Sequence, residues 1–331
     1  MLRLSVLDQS PVPEGSSAGD ALRNTLDLAR LADGLGYTRY WVAEHHGSAG
    51  LACNSPEAMI GPIAAATSRL RVGSGGVMLP HYSPLKVAET FSMLSGLFPG
   101  RIDLGIGRAA GTSPMVAFAL QRDRRQAAPD DFRDQLDELL ALLANRPLAD
   151  RRFARLSSVH FDSPEVSLLG SSPDSCIWAA ELGLPYVFAD FINPGGAALA
   201  RHYRQNFCPS ELLPSPRMSV AAWVICAETD AEAERLSFSF RMMMTLLFRG
   251  QSIPVPTVGR AERFLAEEGL TPASTPPNRR MITGTPARVR EAIETLARDY
   301  EAEEVFIVNI MHDHASRRRS YELIAEAFGI G

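Results

Sequence analysis

Residues 38–78 read TRYWVAEHHGSAGLACNSPEAMIGPIAAATSRLRVGSGGVM, and the alternation within this stretch decides the fold. TRYWVAE (38–44) and LRVGSGGVM (70–78) are short apolar runs of strand character, while SPEAMIGPIAAATSR between them is a longer amphipathic stretch of helical character. The same order extends in both directions. Upstream, LRLSVLD (2–8) precedes the helical pattern DALRNTLDLARLADGLG (20–36). Downstream, the second strand leads into SPLKVAETFSMLSGL, and RIDLGIGR (101–108) leads into the acidic helix DDFRDQLDELLALLA. EVSLLG (165–170), PYVFAD (185–190) and RMSVAAWVICA (217–227) each precede a helix, and EVFIVN (304–309) precedes the terminal one. Eight near-continuous apolar strands separated by helices predict a parallel sheet covered on both faces. That number fits a closed α/β barrel, the (β/α)8 or TIM type, better than an open doubly wound sheet, so residues 1–331 are read as a single domain.

One stretch breaks the repeat. Residues 250–283, before the last strand, carry Pro254, Pro256, Pro272, Pro276 and Pro277 around a short helical pattern. Connections of that length in a compact domain usually serve function or lack order. Barrels place their sites at the carboxyl ends of the strands, so this insertion is expected to act as a lid there.

Composition narrows the partners. With 46% hydrophobic and 21% charged residues the chain has enough apolar material for an ordered core. Lys+Arg of 33 against Asp+Glu of 38 gives a net charge of -5, which excludes a general nucleic-acid binder and points to small molecules. Lys86 is the only lysine, a bias that carries no functional conclusion. No signal-peptide core opens the sequence and no apolar run of about 18 residues occurs, so a cytoplasmic protein with no membrane contact is expected. Cys53, Cys176, Cys208 and Cys226 lack CxxC spacing, so they imply neither zinc nor disulfides and are expected to be buried thiols.

The carboxyl ends of the strands gather Asp8, Glu44-His45-His46, Ser74, Arg108, Ser171-Ser172, Asp190 and Asn309, which are expected to ring one mouth. YWVAEHHG puts two imidazoles behind a carboxylate at the rim, where a general acid or base meets substrate. Adjacent histidines on a strand point to opposite faces and no third ligand stands at a recognised spacing, so no metal site is expected. The glycines of RVGSGGVMLP mark either a bulge at the rim or a backbone that a flat ligand approaches. In VSLLGSSPDSCIW a strand ends at Gly170, serines follow, and Pro173 opens a helix. Ser171, Ser172 and Ser175 at a helix N-terminus suit a phosphate, with Arg108 as the cationic fork, although Asp174 in the same turn repels a dianion. The alternative is that Ser172 merely caps the helix. No GxGxxG follows the first strand and no GxxxxGK[ST] occurs, so the signs of a Rossmann fold and of a P-loop are missing. The histidines of HDHASRRR (312–319) are expected to open the last helix, and its arginines to lie on a solvated face.

Taken in order and spacing, these motifs resemble the bacterial luciferase-like flavin-dependent monooxygenases, which are (β/α)8 barrels. The resemblance runs through LSVLDQSP, YWVAEHHG, NSPEAMIGPIAAATSRLRVGSGGVMLPHYSPLKVAE, FPGRIDLGIGRAAG, LLGSSPDS, ITGTPARVREAIETL and HDHASRRRSYELIAEAFG. It implies that His45, flanked by Glu44 and His46, acts near the reactive edge of the flavin. It also implies that Ser74 and Gly75-Gly76 support the isoalloxazine ring, the glycine pair at a non-proline cis peptide. Arg108 matches the phosphate-binding arginine, and Ser172 and Ser175 match the serine and threonine of the phosphate loop that Gly170 and Ser171 begin.

Two departures set this chain apart from the light-emitting subunit. Ser171 stands in place of a glutamate, and Gly107 in place of the reactive cysteine, so the likeness is to the non-luminous branch. The implied activity is FMNH2-dependent monooxygenation of a small organic substrate with O2 through a flavin hydroperoxide. A site for one phosphate and no visible NAD(P)H site imply that a separate reductase supplies the FMN in reduced form. A homodimer is the habit of the family. The same fold also implies two alternatives, a deazaflavin-dependent dehydrogenase or reductase and a non-catalytic flavin-binding partner subunit.

Overall fold

Serine, threonine and proline decide where many of the helices start. Ser55-Pro56, Ser83-Pro84, Ser172-Pro173 and Thr285-Pro286 each stand at a helix N-terminus, with proline in the first turn where no amide donor is needed. The computed structural model describes residues 2–108, 113–121, 123–127, 129–150, 152, 153, 156, 163–271 and 279–331. The described strands are β1 (Arg3–Asp8), β2 (Arg39–Val42), β3 (Arg71–Met78), β4 (Ile102–Gly107), β5 (Glu165–Gly170), β6 (Tyr186–Ala189), β7 (Met218–Cys226), β8 (Met281–Gly284) and β9 (Glu304–Val308). The described helices are α1 (Ala18–Gly34), α2 (Pro56–Ala66), α3 (Pro84–Leu97), α4 (Pro114–Leu120), α5 (Phe132–Leu143), α6 (Pro173–Glu181), α7 (Ala197–Gln205), α8 (Asp230–Phe248), α9 (Val258–Glu267), α10 (Pro286–Asp299) and α11 (His314–Phe328). Among the described residues no helix is long and apolar enough to cross a membrane.

All strands pair in parallel in the order β6-β5-β4-β3-β2-β1-β9-β7, and a β6–β7 pairing closes the ring, so the eight expected strands form the barrel. A ninth, β8, pairs only with the second half of β7, from Trp223↔Met281 to Cys226↔Gly284. It lies inside the segment expected to be an irregular insertion, and its four residues are too few to declare a period. That segment also holds α9, while Pro272, Pro276 and Pro277 lie outside the described residues.

Period-two alternation sorts the core into two layers. Val6, Tyr40, Val42, Val72, Leu104, Val220, Val305 and Ile307 face the helices. Leu7, Trp41, Ala43, Val187, Ala221, Trp223, Phe306 and Val308 fill the barrel and its mouth together with Phe240, Met243 and Met244 of α8. The amino-terminal end of the barrel is sealed by charge. Arg39 pairs with Asp103 (2.7 Å), Glu165 (2.9 Å) and Glu304 (3.2 Å), Arg217 joins Glu165 (2.8 Å), and Trp41 Nε1 donates to Asp103 (2.9 Å).

The same alternation corrects three expectations about the mouth. Leu7, Ala189 and Val308 face inward, so Asp8, Asp190 and Asn309 face the helices instead of the opening. Asp8 accepts from Arg317 (2.6 Å) and Tyr40 (2.5 Å), and Asp190 accepts from Tyr300 (2.7 Å) and pairs with Arg280 (3.2 Å). Asn309 donates to the Val224 carbonyl (3.0 Å) and to Ser320 (3.1 Å). Arg317 is accordingly buried, not solvated, whereas Arg318 and Arg319 remain on the surface with Asp27 and with Glu228 and Glu326. His314 does open the last helix, paired with Asp27 at 2.8 Å. Cys208 is exposed, the exception among four thiols expected to be buried.

Candidate active site

A cavity of about 280 Å³ opens at the carboxyl ends of the strands, and seven of the expected residues line it together: Gly75, Gly76, Arg108, Gly170, Ser171, Ser172 and Ser175. Its walls are otherwise apolar, with Leu7 and Ala221 toward the barrel and Met78, Leu169, Phe191 and Ile192 around it. The Gly75-Gly76 peptide bond is cis, and the β3–β4 register shifts between Gly75 and Val77, an irregularity of the kind that one of the two readings of these glycines called for. A Cβ on Gly75 would stand 2.4 Å from Leu7 Cδ1, and one on Gly76 2.7 Å from the Gly105 carbonyl. Only bare backbone fits between the cavity and the strands behind it. Ser74 does not line the cavity. Its buried hydroxyl donates to the Gly105 carbonyl (2.9 Å) and accepts from the Gly105 amide (3.1 Å), which fastens β3 to β4.

At the polar end, β5 hands over to α6. Ser172 is the N-cap residue, yet its side chain makes no capping bond, so capping does not account for it. Ser175 is occupied, donating to the Ser172 carbonyl (2.9 Å) and sharing a bond with Tyr186 (3.0 Å). Asn193 Nδ2 holds the Ser171 carbonyl (3.0 Å). Arg108 stands opposite, its Nη1 3.0 Å from Asp174 and its guanidinium 5.2 Å from the Trp178 ring centre. First-turn amides of a helix have no intrahelical acceptor, so the Ser172 hydroxyl, these amides and Arg108 form an anion cradle. An apolar slot with a bare-backbone wall and an anion cradle at one end fits a flat, phosphate-bearing group such as FMN.

The Glu44-His45-His46 triplet lies beside this cavity and does not line it. Alternation places His45 with Trp41 and Ala43 on the inner file and Glu44 with Val42 on the outer one. Glu44 is fully buried and accepts three bonds, from His46 Nε2 (2.7 Å), the Met78 amide (2.9 Å) and Tyr82 (3.0 Å). It therefore ties the end of β2 to the strand that carries the glycine pair. Burial, and then the Glu44 carboxylate, push the Tyr82 phenol well above its usual range, which keeps it a donor. Burial, and then the charge of His46, push His45 down to about 4, and its Nδ1 is buried without a partner among the described residues. At neutral pH this imidazole therefore stays neutral and resists protonation.

Four contributors escaped sequence reasoning. Tyr82 and the Met78 amide act on Glu44 from inside a motif of the family resemblance that gives neither a role, and Asn193 reaches Ser171 from the loop after β6. Trp178 carried a usable signal, since it stands four residues after Asp174 on one face of α6.

The fold is a closed (β/α)8 barrel with its apolar cavity at the carboxyl ends of the strands. The sequence profile of the luciferase-like monooxygenases matches residues 2–301, and the chain belongs to that family. It is 46% identical to the uncharacterised protein YwcH of Bacillus subtilis, over 99% of each chain. It is 36% identical to the N-acetyl-S-alkylcysteine monooxygenase of Bacillus subtilis, over 99% of this chain and 98% of the relative. The crystal structure of apo-MsnO8 superposes with a TM-score of 0.90 at 41% identity, covering 100% of this chain and 98% of that one.

Proposed function

We propose that this monooxygenase uses FMN in its reduced form, delivered by a separate reductase, to oxidise a small organic substrate with O2. The observation that carries the reading is the cavity itself: one wall of bare backbone at Gly75-Gly76, apolar sides, and an anion cradle of Arg108 and Ser172 at the far end. When bound, the reduced flavin supplies the electrons that let O2 give one oxygen atom to substrate and the other to water. Arg108, Ser172 and the α6 amides hold the phosphate, and Gly75-Gly76 support the ring. His45, neutral above about pH 4, offers an imidazole nitrogen as a hydrogen-bonding group beside the mouth. Glu44 positions His46 and the end of β3. Met78, Phe191 and Ile192 favour a substrate with an apolar portion.

The start of the 250–283 segment supports its role as a lid that excludes water. The Ala49 amide donates to Ser252 (2.8 Å), Ile253 lies against Gly50, and Val255 is bonded to Val12 (2.8 Å), so the segment rests on the loop that follows His46. The test is anaerobic titration with reduced FMN, with Arg108→Ala as control, followed by mixing with ¹⁸O₂ and mass analysis of candidate substrates. Tight binding that the substitution weakens, with one labelled atom in the product, is the expected result. Failure to bind reduced FMN refutes the proposal, and oxygen-insensitive hydride transfer from a reduced deazaflavin would replace it with the dehydrogenase reading.

A further inference from the structure

Arg108 already holds an anion in this structure, and that anion is Asp174 of the phosphate loop's own helix. Asp174 lies in the first turn of α6 and Trp178 one turn later, so charge and ring together dock the guanidinium along one face of the helix. Neither residue lines the cavity, so neither is there to shape it. The paired side chains are accessible, 38% for Arg108 and 51% for Asp174, and pairs so exposed are weak and exchange readily. The charges are equally informative. A helix N-terminus offers about half a positive charge, against nearly two negative ones on a phosphate monoester. Arg108 should make the cradle strongly attractive, yet Asp174 at 3.0 Å offsets part of its charge.

We infer that Asp174 is an affinity-lowering residue that competes with the cofactor phosphate for Arg108 and so keeps cofactor exchange fast. This role presupposes that the cavity takes a flavin phosphate. A protein that receives reduced flavin made elsewhere must give back oxidised flavin after each turnover, and a cradle with the full charge of Arg108 would retain it. As the phosphate leaves, Asp174 takes its place on the guanidinium, so no unpaired cation is left behind and release meets a lower barrier.

The test is equilibrium binding and stopped-flow release of oxidised FMN and of riboflavin, which lacks the phosphate, in the unsubstituted protein and in Asp174→Asn, Asp174→Ser and Arg108→Ala. Both Asp174 variants are expected to bind FMN about tenfold tighter, about 1.4 kcal/mol, and to release it correspondingly more slowly. Riboflavin binding stays unchanged, the gain shrinks as salt is raised, and it falls to the smaller part due to direct repulsion of the phosphate when Arg108→Ala is added. Weaker FMN binding in both Asp174 variants would mean that Asp174 aims Arg108, and unchanged binding would mean that it does nothing. Either result overturns the role. Equal affinity for FMN and riboflavin in the unsubstituted protein, with no loss in Arg108→Ala, overturns the phosphate reading of the cavity as well.

Discussion

Gly170→Ala tests the cradle at its tightest point. An added Cβ would lie 2.1 Å from Ser175 Oγ and 2.4 Å from Ser175 Cβ, so rotating the hydroxyl cannot relieve the clash and the first turn of α6 must move. Overpacking of this kind costs about 1–3 kcal/mol. The displaced Ser175 also loses its bonds to Tyr186 and to the Ser172 carbonyl, each worth about 0.5–1.5 kcal/mol, which brings the loss to roughly 2–6 kcal/mol. Chemical denaturation reads the loss directly, and FMN binding should fall in parallel while riboflavin binding falls less. A second substitution sharpens the result. Ser175→Ala keeps the offending Cβ and should not rescue Gly170→Ala, whereas Ser175→Gly removes it and should restore much of the stability, less about 1 kcal/mol for glycine in a helix. Full stability of Gly170→Ala, or equal rescue by alanine and glycine, would refute the steric account.

Two further outcomes follow from buried titrating groups. Burial alone would raise the Asp8 carboxyl, but Arg317, together with the bond from Tyr40, holds it below its usual value. Its contribution is therefore present above the unfolded value and lost as pH falls through the folded one. Arg317→Met strands the carboxylate and should cost about 3–5 kcal/mol at neutral pH, with the deficit narrowing under acid in denaturation curves taken from pH 7 to 3. A deficit independent of pH would contradict the pairing. His45 is depressed to about 4, so it stays neutral in the folded protein down to that pH and favours folding most above about 6.5, less as pH falls toward 4. Any dependence of turnover on neutral His45 should leave the rate flat between about pH 5.5 and 7, and an acid limb near 6.5 that vanishes in His45→Ala would show the shift to be wrong.

The barrel is legible because strand and helix periods repeat eight times, so a single ambiguous segment does not change the topology. What escaped reading is what the period does not encode. β8 is too short to have one, and α4 is a seven-residue helix that the pattern passed over. The orientation of Asp8, Asp190 and Asn309 was encoded, since each follows an inward residue and parity alone sends it outward. Arg317 likewise stands four and seven residues before Tyr321 and Ile324, on the buried face of α11, so helical spacing outweighs the polarity of the RRR run. The cradle residues were recoverable from chemistry, but the bond between Asp174 and Arg108 joins the first turn of α6 to the end of β4 and needs the closed barrel to be seen.

The ionic seal around Arg39 closes the amino-terminal end of the barrel, so among the described residues the passage to the cavity runs from the carboxyl ends of the strands. A cofactor seated in the cavity against Leu7 and Ala221 lies at the inner end of that passage, and whatever it acts on must queue behind it. Traffic is then compulsory in sequence: the cofactor enters before the substrate, and the product departs before the spent cofactor. In steady-state terms oxidised flavin should compete with reduced flavin and never with substrate, so a competitive pattern against substrate would mean that a second entrance exists.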